Sequence, residues 1–445
     1  MSDSFLNAAR ARARDAENAD SPVMRHLSWF GARVGPSRFS AGPLQEVMRQ
    51  EGAHVLAQGV PPRCMLPVVG LSVTLRDGTV VQLDAEEAYS TQRYAPFAWA
   101  SMRSFLLEHV REMHVPPRAD WDVSVTAGSM CGIDVVQRLI LERGDAVLCE
   151  AYTFVASKDL FVAAGAELIP LAMDADGLLP SAVDDACEAR LRAGRPLPKV
   201  LYTIPVGQNP TGSRLHPSRY APIYAAARKY GLVIVEDDAY FYMQHRAHQP
   251  GSAVPGLSGL GPSFLSLDVD GRVVRLDTFS KLLAPGFRLA WITAPAPFVA
   301  KVDGVQYFSS QWACTLSMTI VSKLVRTPGW LLAHVTALQT SMRERCHALL
   351  AAAERHLSGA ATWNTPQAGM FLWVELPSEC EPRPLLDAMR RAGVAMVPGE
   401  SCATAPPPAG RRHLRLTYVL DEADYDEGAR KVCRVVTEMA SGERT

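Results

Sequence analysis

The sequence predicts an α/β protein with a mostly parallel central sheet and a smaller α+β domain. Three observations carry this. From about residue 120 to 295, short apolar runs alternate with amphipathic stretches, the pattern of strands connected by helices. The runs are almost continuously apolar, as expected of strands covered on both faces. The C-terminal third changes character, with one long amphipathic stretch followed by short strand-like runs.

The predicted strands are Ala146–Glu150 and residues 166–173, 199–205, 231–236, 272–277 and 289–293, all rich in Val, Ile and Leu. A helix over 129–141 puts Ile133, Val136 and Ile140 on one face, and a second over 216–230 has proline at its second position. Residues 333–357 carry Val335, Leu338, Met342, Cys346, Leu349, Ala353 and Leu357 at steps of three and four, one long helix with a buried stripe. Strand-like runs at 370–376 and 413–418 follow, with a Pro-rich loop at 405–410 before the second. The domain boundaries expected from this pattern are an N-terminal arm with part of the small domain (1–60), a large domain (61–325) and a C-terminal small domain (326–445).

Composition narrows the function. The chain has 445 residues, 48% hydrophobic and 20% charged, with a formal net charge of −1. That balance is ordinary for a globular protein and gives no global field for nucleic acid or an anionic membrane. No apolar run reaches the roughly 18–20 residues that cross a bilayer. Arg10, Arg12 and Arg14 are interrupted by acidic residues, so a solvated arm is expected rather than a transit peptide. Nine scattered cysteines form no C-x-x-C pair, which points to mostly reduced, buried thiols in a cytoplasmic protein and to no metal site. Neither H-E-x-x-H nor G-x-S-x-G occurs, so zinc and serine hydrolysis have no support. Only seven lysines stand among 45 basic residues, so any chemistry at a lysine amine has few candidates.

Four segments carry that chemistry. Thr126-Ala-Gly-Ser-Met-Cys-Gly132 opens a helix, whose free N–H groups and dipole favour a phosphate. Gly207-Gln-Asn-Pro-Thr-Gly212 follows a strand; Pro210 holds Asn209 extended and Gly212 allows a tight turn. Glu236-Asp-Asp-Ala-Tyr240 ends a strand, and alternation separates Asp237 from its acidic neighbours, although such clusters are more often solvated caps. Thr278-Phe-Ser-Lys281 follows another strand, with Arg288 seven residues on; hydroxyls and a guanidinium suit a phosphate. Each motif alone reads as a turn, a cap or a surface charge. Together they offer an anion site, a lone carboxylate, an amide donor and a lysine at C-terminal strand edges, which suits carbonyl chemistry at an amine.

With these residues in order, the chain resembles the fold-type I pyridoxal-5′-phosphate (PLP) aminotransferases of class I/II. Within them it is most similar to the kynurenine/2-aminoadipate and aromatic amino acid aminotransferase group. The likeness also rests on Leu56-Ala-Gln-Gly-Val-Pro61, Met65-Leu-Pro67, Pro198 to Pro205, Ala226 to Tyr230 and Pro366-Gln-Ala-Gly-Met-Phe-Leu-Trp373. The resemblance implies PLP bound as a Schiff base to Lys281, which also shuttles the proton at the substrate's α-carbon. It implies that Asp237 pairs with the pyridinium nitrogen and that Asn209 and Tyr240 bond the phenolic oxygen. Phe154 takes the place of the ring-stacking aromatic residue, with Tyr152 as the alternative. Ser129, the Met130 N–H, Thr278, Ser280 and Arg288 take the phosphate, and Tyr94 reaches that of the neighbouring subunit in a homodimer. Arg415, between two leucines, matches the clamp on the substrate carboxylate; Gly59 lines the substrate pocket and Arg25 is a distal contact. Arg411 and Arg412 are expected at the surface.

Departures from the family pattern cluster around the substrate. Gln58 and Val60 replace Gly and Leu, Met130 replaces a polar or small residue, and Cys402 replaces an aromatic residue, while Phe97, Trp99 and Trp312 crowd regions that in the family tend to form the substrate pocket. The implied activity is transfer of an amino group from an aromatic, kynurenine-like or 2-aminoadipate-like α-amino acid to a 2-oxo acid, in amino acid metabolism. The alternatives are a PLP-dependent β-eliminating (C–S) lyase on the same scaffold and an aminotransferase-like regulator domain. The latter needs a winged-helix domain ahead of the fold, for which the residues before Gly59 are too few.

Overall fold

The computed structural model describes residues 21–35, 47, 50, 52–54, 56, 59–94, 96–247, 252–406, 412–420 and 423–441, with the side chains of 96–98, 382 and 423 outside the description. Gln58, Arg411, the N-terminal arginines and the Phe97 side chain therefore lie outside the described residues. The strands that matter are β1 (Trp121–Thr126), β2 (Ala146–Glu150), β3 (Glu167–Leu171), β4 (Val200–Thr203), β5 (Val233–Asp237), β6 (Val273–Thr278), β7 (Ala290–Pro295), β8 (Phe371–Leu376) and β9 (Arg412–Thr417). The helices are α1 (Ser129–Ile140), α2 (Val155–Ala163), α3 (Pro217–Tyr230) and α4 (Trp330–Leu357). The first seven strands make both parallel and antiparallel pairs. The chain divides into two compact units, one of residues 1–142 and 265–331, the other of 143–264 and 332–445.

In the first unit β7 lies between β1 and β6 and is antiparallel to both, with Ala290 opposite Thr126 and Thr278. Helix α1 buries Ile133, Val136 and Ile140 as its spacing predicts. It lies so close to the sheet that a Cβ on Gly132 would meet the Leu276 side chain at 2.9 Å. The sequence predicts β7 but not its direction, and its pattern does not predict β1. In β1, Asp122, Ser124 and Thr126 alternate with apolar residues, yet all three are buried. Arg103 donates to Asp122 (2.6 Å), and Ser124 joins Asp303 (2.6 Å) and Gln306 (2.8 Å). Those partners make polar residues tolerable inside a strand covered on both faces.

The second unit holds the parallel run β5-β4-β2-β3, every residue of β2, β4 and β5 being buried. Helix α3 starts at Pro217 and stops at Gly231, which takes the left-handed conformation (φ 72°) that ends helices. A smaller antiparallel sheet pairs β8 with β9, flanked by Thr362–Trp363 and Val397–Pro398. Helix α4 buries Val335, Met342, Cys346, Leu349, Ala353 and Leu357. Leu338 is only half-buried; its neighbour Gln339 is fully buried instead and bonds Tyr242 O, Gly256 O and Gly256 N at 2.8–3.1 Å. No described helix is long and apolar enough to cross a membrane.

Candidate active site

In the first unit, strand register brings three segments to one edge. Thr126, Ala290 and Thr278 are cross-strand neighbours, so 127–130, 278–281 and 288–289 leave the sheet side by side. Gly128 sits at φ 87°, and no side chain caps the helix that Ser129 opens. A Cβ at Gly128 would lie 2.2 Å from Arg288 Nη2, so only glycine leaves room for the guanidinium there. Arg288 is itself left-handed (φ 52°), and its Nη2 donates to Ala127 O at 3.2 Å. Cation, hydroxyls and helix N–H groups therefore converge, a donor set suited to a phosphate. The Thr278 hydroxyl also has structural duties: it accepts from Ser280 N (3.0 Å), capping the turn Phe279–Leu282, and donates to Leu289 O (3.2 Å). Ser129, Met130, Ser280 and Lys281 are half-buried.

In the second unit, β2, β4 and β5 end together, delivering 150–154, 203–209 and 236–240 to their C-terminal edge. The acidic run at the end of β5 is not solvated: Glu236, Asp237 and Asp238 are all buried. Glu236 accepts Phe264 N (2.8 Å) while Asp237 accepts the Tyr202 hydroxyl (2.6 Å). Asn209, ahead of a cis peptide to Pro210, is 4% exposed and its Oδ1 accepts from Arg415 Nη1 at 2.6 Å. The Arg415 guanidinium lies 4.2 Å over the Phe371 ring, which Tyr240 meets edge-on at 5.9 Å. Burial, and after it the Asp237 charge, pushes the Tyr240 hydroxyl up, so it stays a protonated donor. Two glycines permit this packing: a Cβ on Gly207 would meet the Gly369 backbone at 2.7 Å.

Four polar residues here have no role that a sequence motif assigns. Gln208 locks the turn, accepting from Thr211 and donating to Tyr152 O (2.7 Å). Glu150 is buried and accepts from Thr203 Oγ1 (2.6 Å) and Ile204 N (3.0 Å); burial raises its carboxyl to about 7. Tyr202 and Ser157, both fully buried, lie 2.9 Å apart. The available signal was a polar residue inside an otherwise apolar strand, as in Val200–Thr203.

Phe154 is half-buried at the N-cap of α2. Tyr152 packs edge-on against Trp373 and His413, each at 5.2 Å, and those two stack at 4.8 Å. Cys402 is fully buried, its carbonyl accepting from Thr153 N at 2.9 Å. In the first unit Trp99 stacks with Trp312 at 6.1 Å, Tyr94 is 62% exposed, and Gly59 is open to solvent; Arg25 ends the short helix Pro22–Arg25. Arg412, expected at the surface, is only 14% exposed and pairs with Glu381 at 2.9 Å.

The first unit holds a half-buried lysine beside donors suited to a phosphate, and the second holds a buried carboxylate, a phenol and an amide–guanidinium pair; groups of these kinds serve a PLP-dependent transferase. Residues 72–432 match the model of aminotransferase class I and II, and the chain belongs to that family. It is 33% identical over 360 residues to an aromatic amino acid aminotransferase of Schizosaccharomyces pombe, covering 75% of this chain and 74% of that one. An aminotransferase of Candida albicans superposes with a TM-score of 0.84 at 26% identity, over 95% of this chain and 99% of the other. A kynurenine aminotransferase of Pyrococcus horikoshii, in complex with PMP, gives a TM-score of 0.72 at 26% identity, over 80% and 84%. The protein is a fold-type I, PLP-dependent aminotransferase acting on an amino acid and a 2-oxo acid.

Proposed function

We propose that the amino donor is an aromatic, kynurenine-like or 2-aminoadipate-like α-amino acid and that Lys281 carries the cofactor. The observation that carries an α-amino acid donor is Arg415: its guanidinium lies 4.2 Å over the Phe371 ring and is tied to Asn209, offering a fork to an α-carboxylate beside an aromatic ring. When bound, the cofactor supplies an electron-poor ring that acidifies the substrate's α-carbon. Lys281 moves the proton at that carbon. Asp237 holds the proton of the ring nitrogen, Asn209 and Tyr240 hold the phenolic oxygen, and Phe154 covers the ring face. Ser129, the Met130 N–H, Thr278, Ser280 and Arg288 bind the phosphate, with Tyr94 added from a second copy. Gly59 lines the substrate pocket. The exposure of Tyr94 supports a homodimer, and nine free cysteines support a cytoplasmic location. An arm at 1–60, a large domain at 61–325 and a small domain at 326–445 remain the proposed division, with no nucleic acid or membrane partner.

The test mixes the holoenzyme with single amino acids and no acceptor. Absorbance is expected to report one equivalent of cofactor converted to its amine form, fastest with an aromatic or long-chain acidic donor. Lys281→Ala is expected to slow that conversion about 10³-fold or more, the scale of a lost general base. Continuous ammonia release without an acceptor would overturn the assignment.

A further inference from the structure

Asp237 does not stand alone in its buried site. Tyr202, the third residue of β4, has Val235 as its Cα partner on β5, so Tyr202 and Asp237 project from the same face of the parallel pair. The Tyr202 hydroxyl lies 2.6 Å from Asp237 Oδ2 and 2.9 Å from Ser157 Oγ. A phenol has one proton and an ionised carboxylate only accepts, so Tyr202 donates to Asp237 and Ser157 donates to Tyr202. Ser157 belongs to α2, the helix with Phe154 at its N-cap. Tyr202 and Ser157 are fully buried, and Phe161 packs edge-on against the Tyr202 ring at 5.3 Å. Burial, then the Asp237 charge, pushes the phenol well above its usual range, so it remains a donor throughout the working pH range. Other titratable groups acting on the pair include Tyr240, which follows β5, and Glu150 at the end of β2. Glu236 and Asp238 alternate with Asp237 along the chain, and Glu236 is engaged by Phe264 N.

We propose that Tyr202, backed by Ser157, is a positioning residue that keeps Asp237 ionised and aimed, and thereby sets how firmly the ring nitrogen of the cofactor holds its proton. This rests on the reading that Asp237 partners that nitrogen. A hydroxyl donating to a buried carboxylate lowers the cost of its charge. Without it the carboxylate becomes more basic and takes the shared proton, leaving the ring neutral and a weaker electron sink.

The experiment compares Tyr202→Phe, which keeps the ring packed against Phe161, with Ser157→Ala, Asp237→Asn and full-length protein carrying 3-fluorotyrosine at position 202. Two readouts are taken: the pH dependence of the bound cofactor's visible absorption, and infrared titration of carboxyl groups in cofactor-free protein. Tyr202→Phe is expected to shift the carboxyl titration upward by about one to two pH units, a shift missing from the Tyr202→Phe/Asp237→Asn double variant. It is also expected to raise the cofactor's dissociation constant about 10-fold. Fluorotyrosine, a stronger donor, is expected to move both readouts the opposite way, and Ser157→Ala to move them in the Tyr202→Phe direction by less. If Asp237→Asn alters the absorption profile while Tyr202→Phe and fluorotyrosine leave it in place, Tyr202 only packs and the proposal fails with the Asp237 reading intact. If Asp237→Asn itself leaves cofactor spectrum and affinity unchanged, both fall.

Discussion

Arg415 concentrates at one residue the difference between a charge and a shaped charge. Its Nη1 is tied to Asn209 and its guanidinium lies 4.2 Å over the Phe371 ring, so two contacts limit how the group can turn. A lysine would bring the same charge without the fork or the stacking surface. Arg415→Lys is therefore expected to raise the KM for the amino donor about 100-fold, roughly 3 kcal/mol, with a smaller effect on kcat. Half-reaction rates against donor concentration check this, and an amine lacking the carboxylate should react equally with both proteins. The residues that could be read from the chain, such as Lys281, Asn209 and Arg415, stand in motifs whose order is itself informative. Tyr202 could not be read that way. Its partners lie 35 and 45 residues away, Asp237 brought to it by the pairing of parallel strands and Ser157 by a helix packed on them.

Elements add a second kind of constraint, in which backbone geometry decides where side chains can go. Gly128 and Gly231 both have positive φ at helix ends, but their surroundings differ. At Gly128 a Cβ would displace the Arg288 guanidinium; at Gly231 it would meet nothing within 4 Å. Gly231→Ala should thus cost about 1 kcal/mol of stability and leave cofactor binding alone. Gly128→Ala should cost a similar strain and also weaken PLP or inorganic phosphate binding at least 10-fold, about 1.4 kcal/mol. Urea midpoints and cofactor titration separate the two effects. The elements legible in the sequence are those with an unbroken apolar run, such as β4 and β5, a start signal, such as the proline of α3, or a helical stripe, as in α4. Strand β1 escaped because Asp122, Ser124 and Thr126 mimic a solvated face while being bonded inside. The direction of β7 escaped because its neighbours come from distant parts of the chain, beyond the reach of any local pattern. Gln339 displaced Leu338 from the buried stripe because the turn at Gly256 needed its amide.

At the scale of the molecule, the net charge of −1 conceals two buried groups whose demands on pH oppose each other. In the first unit, burial and then the positive Arg275 push His109 down from 6.5 to about 4. The unfolded chain takes up that proton first, so the stability His109 contributes is full above 6.5 and is lost as pH falls towards 4. In the second unit, burial raises Glu150 from 4.5 to about 7. Here the folded chain keeps the proton longer, so the contribution is full below 4.5 and is lost as pH rises towards 7. Each shift corresponds to about 3 kcal/mol, and over pH 4.5–6.5 the two slopes largely cancel. Substitution should expose them one at a time. Glu150→Gln mimics the neutral acid and should match the wild type's acid stability, then gain on it steadily up to pH 7. His109→Gln should match it near neutrality and gain as pH falls through 6.5 to 4. Urea midpoints at half-unit pH intervals measure both; a Glu150→Gln curve running parallel to the wild type between pH 4.5 and 7 would show that Glu150 is ionised in the folded protein throughout, bonded to Thr203 and Ile204 strongly enough to outweigh its burial.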